Sequence, residues 1–246
     1  MATTKINDEL ETLYQSFYDN SISSINGRNH SIDTFIDRPI DNRRGLSLII
    51  WPDKEVQKNI EKFNGELREI DSSQYYQPIS DLHVTVLSII SCQDGFTIDQ
   101  RNVDKYIEVI STSLKDIQDI QIRFKGVTTT KEAVMIQGFI LNDNLPTLRD
   151  RLRENFRSST LMQDIDTRYL TKTAHITSVR FRDRIRNAEE FVKTIEKYKG
   201  LDFGITKTTD IDLIYTDWYC RKSKIKWLNR FALDERGYSR EENHTL

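Results

Sequence analysis

Leu82-His83-Val84-Thr85-Val86 and, further on, Ala174-His175-Ile176-Thr177-Ser178 decide how this chain is read. Each is a His-x-Thr tripeptide with an apolar middle residue, set in a β-prone run. Side chains alternate faces along a strand. His83 and Thr85 therefore point the same way, roughly 7 Å apart, and so do His175 and Thr177. Two such strands facing one another across a cleft bring two imidazoles and two hydroxyls to one point. That set suits a phosphate diester, with two groups to move protons and two to hold the non-bridging oxygens.

The chain has four histidines, His30, His83, His175 and His244, and 22 threonines in 246 residues. One histidine thus has about a one-in-eleven chance of a threonine two places on, and two of four arise by accident about five per cent of the time. The competing reading, two unrelated core histidines, loses on that count. With its paired motifs the sequence resembles the 2H phosphoesterase superfamily, which includes the 2′-5′ RNA ligase-like proteins and the cyclic nucleotide phosphodiesterases. The resemblance covers about residues 45 to 233 and is strong at the two motifs. It implies an α+β, bilobal fold, with two mostly antiparallel sheets around a central cleft, helices outside, and neither metal nor cofactor.

The chemistry follows from the residue types. Histidine has an ordinary pKa near 6.5, so at neutral pH one of a pair can be neutral and the other cationic. The neutral ring serves as base and the imidazolium as acid, each role contributing about 10² to 10⁴ in rate. Thr85 and Thr177 would donate hydrogen bonds to phosphoryl oxygens. The resemblance implies His175 as base and His83 as acid in the hydrolytic direction; the residues alone are symmetric. Arg180 matches the HxTxxR that the family often has. Its odd offset in a regular strand puts it opposite His175. It is then either a structural arginine or one that needs a bend to reach the substrate. The first motif has Ser88 at that place. For base stacking, aromatic residues near strand ends are candidates, with Tyr76 and Trp218 preferred because their loops should flank the cleft.

Composition narrows the partners. The chain is 37% hydrophobic and 30% charged, with 36 basic and 38 acidic residues, ordinary for a globular protein. A net charge of −2 supplies no global basic field for duplex nucleic acid. A nucleotide or short RNA end fits better, and a monomer is expected. No apolar run is long enough to span a membrane. The polar, acidic N-terminus does not read as a signal peptide. Cys92 and Cys220 read as free thiols in a reducing cytoplasm. No Walker loop, HExxH or zinc-spaced cluster occurs.

In chain order, residues 1–44 read as an N-terminal helix and loop, 45–233 as the bilobal domain and 234–246 as a charged tail. Leu10, Leu13, Tyr14, Phe17 and Tyr18 predict a helix over 6–19. Residues 20–44 read as loop, with His30 exposed and Arg43-Arg44 a solvated charge pair. Strands are expected at 45–51, 80–91, 120–127, 133–141 and 173–181, and at 203–205, 210–215 and 223–233. Helices are expected at about 52–69, 99–117, 145–157 and 187–198. The order lacks regular βαβ alternation, which argues α+β. The function expected is a metal-independent phosphodiesterase acting on a cyclic phosphate or 2′-5′ linkage. The alternatives are hydrolysis of cyclic di- or oligonucleotide signals, or a non-catalytic nucleotide-binding module.

Overall fold

The computed structural model describes residues 2–233; the tail from Asp234, with His244, lies outside them. The elements are α1 (Ala2–Asn26), β1 (Arg43–Ile50), α2 (Lys54–Ile70), β2 (Tyr75–Tyr76), β3 (Val84–Asp94), α3 (Gln100–Ser113), β4 (Ile120–Thr129) and β5 (Ala133–Ile140). After them come α4 (Asn144–Ser158), β6 (Ile176–Arg180), α5 (Ala188–Lys197), β7 (Asp202–Thr208), β8 (Asp210–Asp217) and β9 (Lys226–Ala232). The fold is α+β, as expected.

The strands run β7-β4-β5-β6-β3-β1-β8-β9, with β2 added beside β6. Two four-stranded antiparallel halves, β6-β5-β4-β7 and β3-β1-β8-β9, are joined at the motif strands. The junction is a single residue pair, Val84 opposite Ile176. Both residues are fully buried, so the junction itself is core. One paired rung lets the two halves hinge into a curled sheet instead of continuing one twisted plane. Helices close the outer side: α2 packs on β7 and α5, and α3 on α4. Val56, Ile60, Phe63 and Leu67 of α2 recur at helical spacing and are all buried, which is the stripe the sequence predicts.

The N-terminal helix is longer than its apolar stripe suggests. Residues 21–26, SISSIN, are weak helix formers, yet they stay helical because they dock. The Ser21 hydroxyl lies 2.5 Å from Thr129 Oγ1, and Ile25 is fully buried. Tertiary contact outweighs propensity here. Gly27 follows, its N–H donating to the Ser23 carbonyl, and Arg28 takes a left-handed φ of 56°, the usual way a helix ends.

Two local expectations are corrected. His30 is 1% exposed, its ring 4.9 Å from Phe181, because the loop folds back and Asp33 N–H donates to the Phe181 carbonyl. Arg43 is no solvated charge: it begins β1 and forms two hydrogen bonds to the Asp41 carboxylate, at 2.9 and 2.7 Å.

Candidate active site

The junction pair brings the two motifs together. With Val84 opposite Ile176 in antiparallel register, His83 falls opposite Thr177, and Thr85 opposite His175. Directly opposed residues in such a ladder have Cα atoms about 4.5–5.5 Å apart and side chains on one face. Val84 and Ile176 point into the core, so the four motif side chains point the other way, into the cleft. All four are half-buried.

Each imidazole is held through its inner nitrogen. His83 Nδ1 lies 2.7 Å from the Asp81 carbonyl. A carbonyl only accepts, so Nδ1 carries the proton and Nε2 is left to exchange one. His175 Nδ1 is 2.7 Å from Thr173 Oγ1. Burial, then neighbouring His83, Arg149 and Arg180 pull His175 down to about 4. His83 also lies below the ordinary 6.5. Burial lowers it most, the Asp81 carbonyl opposes that, Arg180 adds to it, and the Asp81 and Asp217 charges oppose it again. The site therefore differs from the one-neutral, one-cationic pair anticipated at pH 7: both rings favour the neutral form.

Arg180 resolves in favour of the cleft. Along β6, Val179 pairs with Val134 but Thr177 pairs with Met135. Ser178 is the extra residue of a β-bulge, and it turns inward, its hydroxyl donating to buried Asn64. One inserted residue shifts the alternation by one. Arg180 thereby returns to the face of His175 and Thr177. Its guanidinium sits 5.5 Å over the Tyr219 ring, and its buried Nε has no hydrogen-bond partner. Burial lowers its pKa.

The aromatic candidates separate. Tyr76 pairs with Val179, packs against the core and donates its hydroxyl to the Asp71 carbonyl at 2.7 Å. The strand does not bring it to the cleft. Its neighbour Tyr75 pairs with Arg180 and takes the cleft side, 6.3 Å from Tyr219. The guanidiniums of Arg43 and Arg168 each lie over the Trp218 ring, at 5.1 and 5.0 Å.

Arg149 is the residue that sequence reading missed. It lies on α4 and is 4% exposed. Its guanidinium donates to four carbonyls: Val86 at 2.8 Å, Thr85 at 3.0 Å, Lys172 at 2.8 Å and Thr173 at 2.8 Å. The first two belong to β3 just after His83, the others to the segment just before His175. One side chain thus ties the two motif backbones together from behind. Burial lowers its pKa to about 10, so it stays charged at neutral pH. Gly138 helps on the same side, because a Cβ there would collide with the Ala174 carbonyl. Among the described residues, no group of three or more His, Cys, Asp or Glu side chains is placed to hold a metal. No described helix is long and apolar enough to cross a membrane.

Two His-x-Thr motifs set side by side in one curled antiparallel sheet place the chain in the 2H phosphoesterase superfamily. The chain belongs to the AKAP7 2′5′ RNA ligase-like domain family, whose model matches residues 46–224. Solved structures share the fold. TT0787 of Thermus thermophilus aligns with a TM-score of 0.55 at 12% identity, covering 78% of this chain and 99% of that one. Escherichia coli LigT complexed with 3′-AMP aligns at 0.50 and 13%, covering 78% and 98%. The conserved protein of unknown function ATU0111 from Agrobacterium tumefaciens aligns at 0.51 and 13%, covering 80% and 94%. No curated protein matches. The N-terminal helix α1 lies outside the matched span.

Proposed function

We propose that this chain is a metal-independent phosphodiesterase that opens a cyclic phosphate or a 2′-5′ linkage in a nucleotide or short RNA. The observation that carries this reading is the Val84–Ile176 rung, which sets His83, Thr85, His175 and Thr177 around one point. Supporting it, the Arg180 guanidinium stands on the same face, over the Tyr219 ring, and its charge acts on both histidines. LigT, with the same fold, was crystallised with 3′-AMP.

In this mechanism a phosphodiester lies between the rings, its non-bridging oxygens taking hydrogen bonds from Thr85, Thr177 and Arg180. His175, the ring held near 4, is neutral and removes the proton of water or of a ribose hydroxyl. His83 is the better placed cation, because the Asp81 carbonyl and the Asp81 and Asp217 charges favour its protonated form. It hands a proton from Nε2 to the leaving oxygen. The anionic phosphate raises the pKa of both rings on binding, which makes His83 cationic when it is needed.

The pH profile follows with a definite sign. The active free form has His175 deprotonated and His83 protonated. The first condition fails below about 4, the second above a pKa lowered from 6.5. The kcat/KM profile, which reports the free enzyme, is expected to peak on the acid side of pH 6.5. The kcat profile should lie at higher pH, because bound phosphate raises both groups. A kcat/KM optimum above pH 7.5 would contradict the assignment.

The experiment that tests the function is a panel of 2′,3′-cyclic, 3′,5′-cyclic, 2′-5′-linked and cyclic dinucleotide substrates, with and without excess EDTA, read by mass spectrometry. Turnover that survives EDTA supports the proposal. Turnover abolished by EDTA refutes the metal-free mechanism, and tight binding without turnover identifies a binding module.

A further inference from the structure

A row of paired residues crosses the second half of the sheet on the cleft face. Thr85 pairs with Ile49, Ile49 with Asp212, and Asp212 with Arg230. Directly paired residues share a face, so Asp212 and Arg230 look the same way as Thr85. Strand spacing puts Asp212 about 10 Å from Thr85. Two tryptophans flank the row. Trp51 stands two residues after Ile49 and one past Ile50, whose partner is Val84; by that register it lies beside His83. Trp227 pairs with Ile214, two residues after Asp212.

Asp212 organises this group. It is 1% exposed, and its carboxylate accepts from Trp51 Nε1 at 2.7 Å, from Trp227 Nε1 at 3.3 Å and from Arg230 at 2.7 and 2.9 Å. The indole centroids are 6.5 Å apart and tilted by 32°. Both rings are thus fixed by their polar edges, while Trp227 leaves 42% of its surface in water. Trp51 packs partly on Ile49, Ile214 and Cys220, which explains its burial. Nothing in that packing explains why Trp227 is held rigid and open. An aromatic face held open on the sheet face that carries the phosphate site, with a guanidinium plane next to it, has the properties that bind a nucleobase by stacking.

We propose that Trp227, with Trp51 and Arg230, forms a nucleobase subsite on the β3-β1-β8-β9 half of the sheet. Resting on the phosphodiesterase reading, this gives the substrate a nucleobase next to its scissile phosphate: the phosphate sits between the histidines and the base of a flanking nucleoside lies on the indole pair. Asp212 is a positioning residue here, since it holds the rings and touches no ligand.

The test compares wild type with Trp227→Ala and Trp227→Phe. The probes are a phosphorothioate-linked 2′-5′ diadenosine for binding, by quenching of tryptophan fluorescence, the natural-linkage diadenosine for KM, and inorganic phosphate as a competitor. Trp227→Ala is expected to raise the diadenosine Kd and KM about 10-fold or more, the share of one stacked base, with phosphate inhibition unchanged. Trp227→Phe should recover most of the loss. Unchanged diadenosine Kd and KM in Trp227→Ala, or an equal loss of phosphate affinity, overturns the subsite. If the diadenosine binds, weakens with Trp227→Ala and is never cleaved, the subsite stands and the phosphodiesterase reading fails. If it is cleaved at the wild-type KM by Trp227→Ala, the reverse holds.

Discussion

His175→Ala is expected to lower kcat/KM by about 10² to 10⁴, the usual contribution of a positioned base, with the fold intact because the ring is half-buried at the cleft surface. His83→Ala should cost a similar factor on a substrate with an alkoxide leaving group. The two variants separate when the leaving group is changed. A p-nitrophenyl ester leaves without needing a proton, so it should restore most of the activity of His83→Ala and little of that of His175→Ala. The reason is the asymmetry of the two environments. Burial, His83, Arg149 and Arg180 drive His175 to about 4, whereas the Asp81 carbonyl and two carboxylates favour the cationic form of His83. Rescue of His175→Ala instead would exchange the roles. The double variant should lose little more than either single one, because two groups acting on one transition state are not additive.

The second large effect is expected at Arg149. Arg149→Met removes the donor for four buried carbonyls and should destabilise the fold by about 3–5 kcal/mol. In a chain of this size that lowers Tm on the order of 10 °C, which a thermal melt reads directly. Catalysis should change as well, in a way that lost stability alone does not predict. The Arg149 charge helps hold His175 down. Without it the acid limb of kcat/KM should move to higher pH. Arg149→Lys keeps the charge but lacks the planar fork that reaches four acceptors. It should therefore melt early yet keep the acid limb in place. A melt within about 2 °C of wild type for Arg149→Met, the size of shift one surface substitution gives, would remove Arg149 from its assigned place.

Composition understated the charge of the cleft. A net charge of −2 averages the whole surface, whereas Arg180 and Arg149 both act on His175 and Arg43, Arg168 and Arg221 stand around Trp218 and Tyr219. Part of that charge is balanced on the spot, Arg43 by Asp41 and Arg221 by Asp217, while other acidic residues lie far off, such as Asp8, Glu11 and Asp19 of α1, all exposed.

By itself the sequence determined the class of fold, the run of strands and helices, and the two His-x-Thr motifs. These are local signals: apolar periodicity sets element type, and a tripeptide spaced by two puts its polar ends on one face of any strand. What depends on pairing partners came from the three-dimensional arrangement. A bulge at Ser178, visible in the register with β5, turned Arg180 into the cleft against the simple alternation. A two-residue strand, β2, chose Tyr75 over Tyr76 for the cleft because Tyr75 pairs with Arg180. Arg149 reads in sequence as one more charge on a helix, and its meaning comes from four carbonyls on segments far away in the chain. Trp51 and Trp227 meet because β1 and β9 both flank β8. Periodicity along one strand carries no information about which residues lie across from it, and the cleft is made of those crossings.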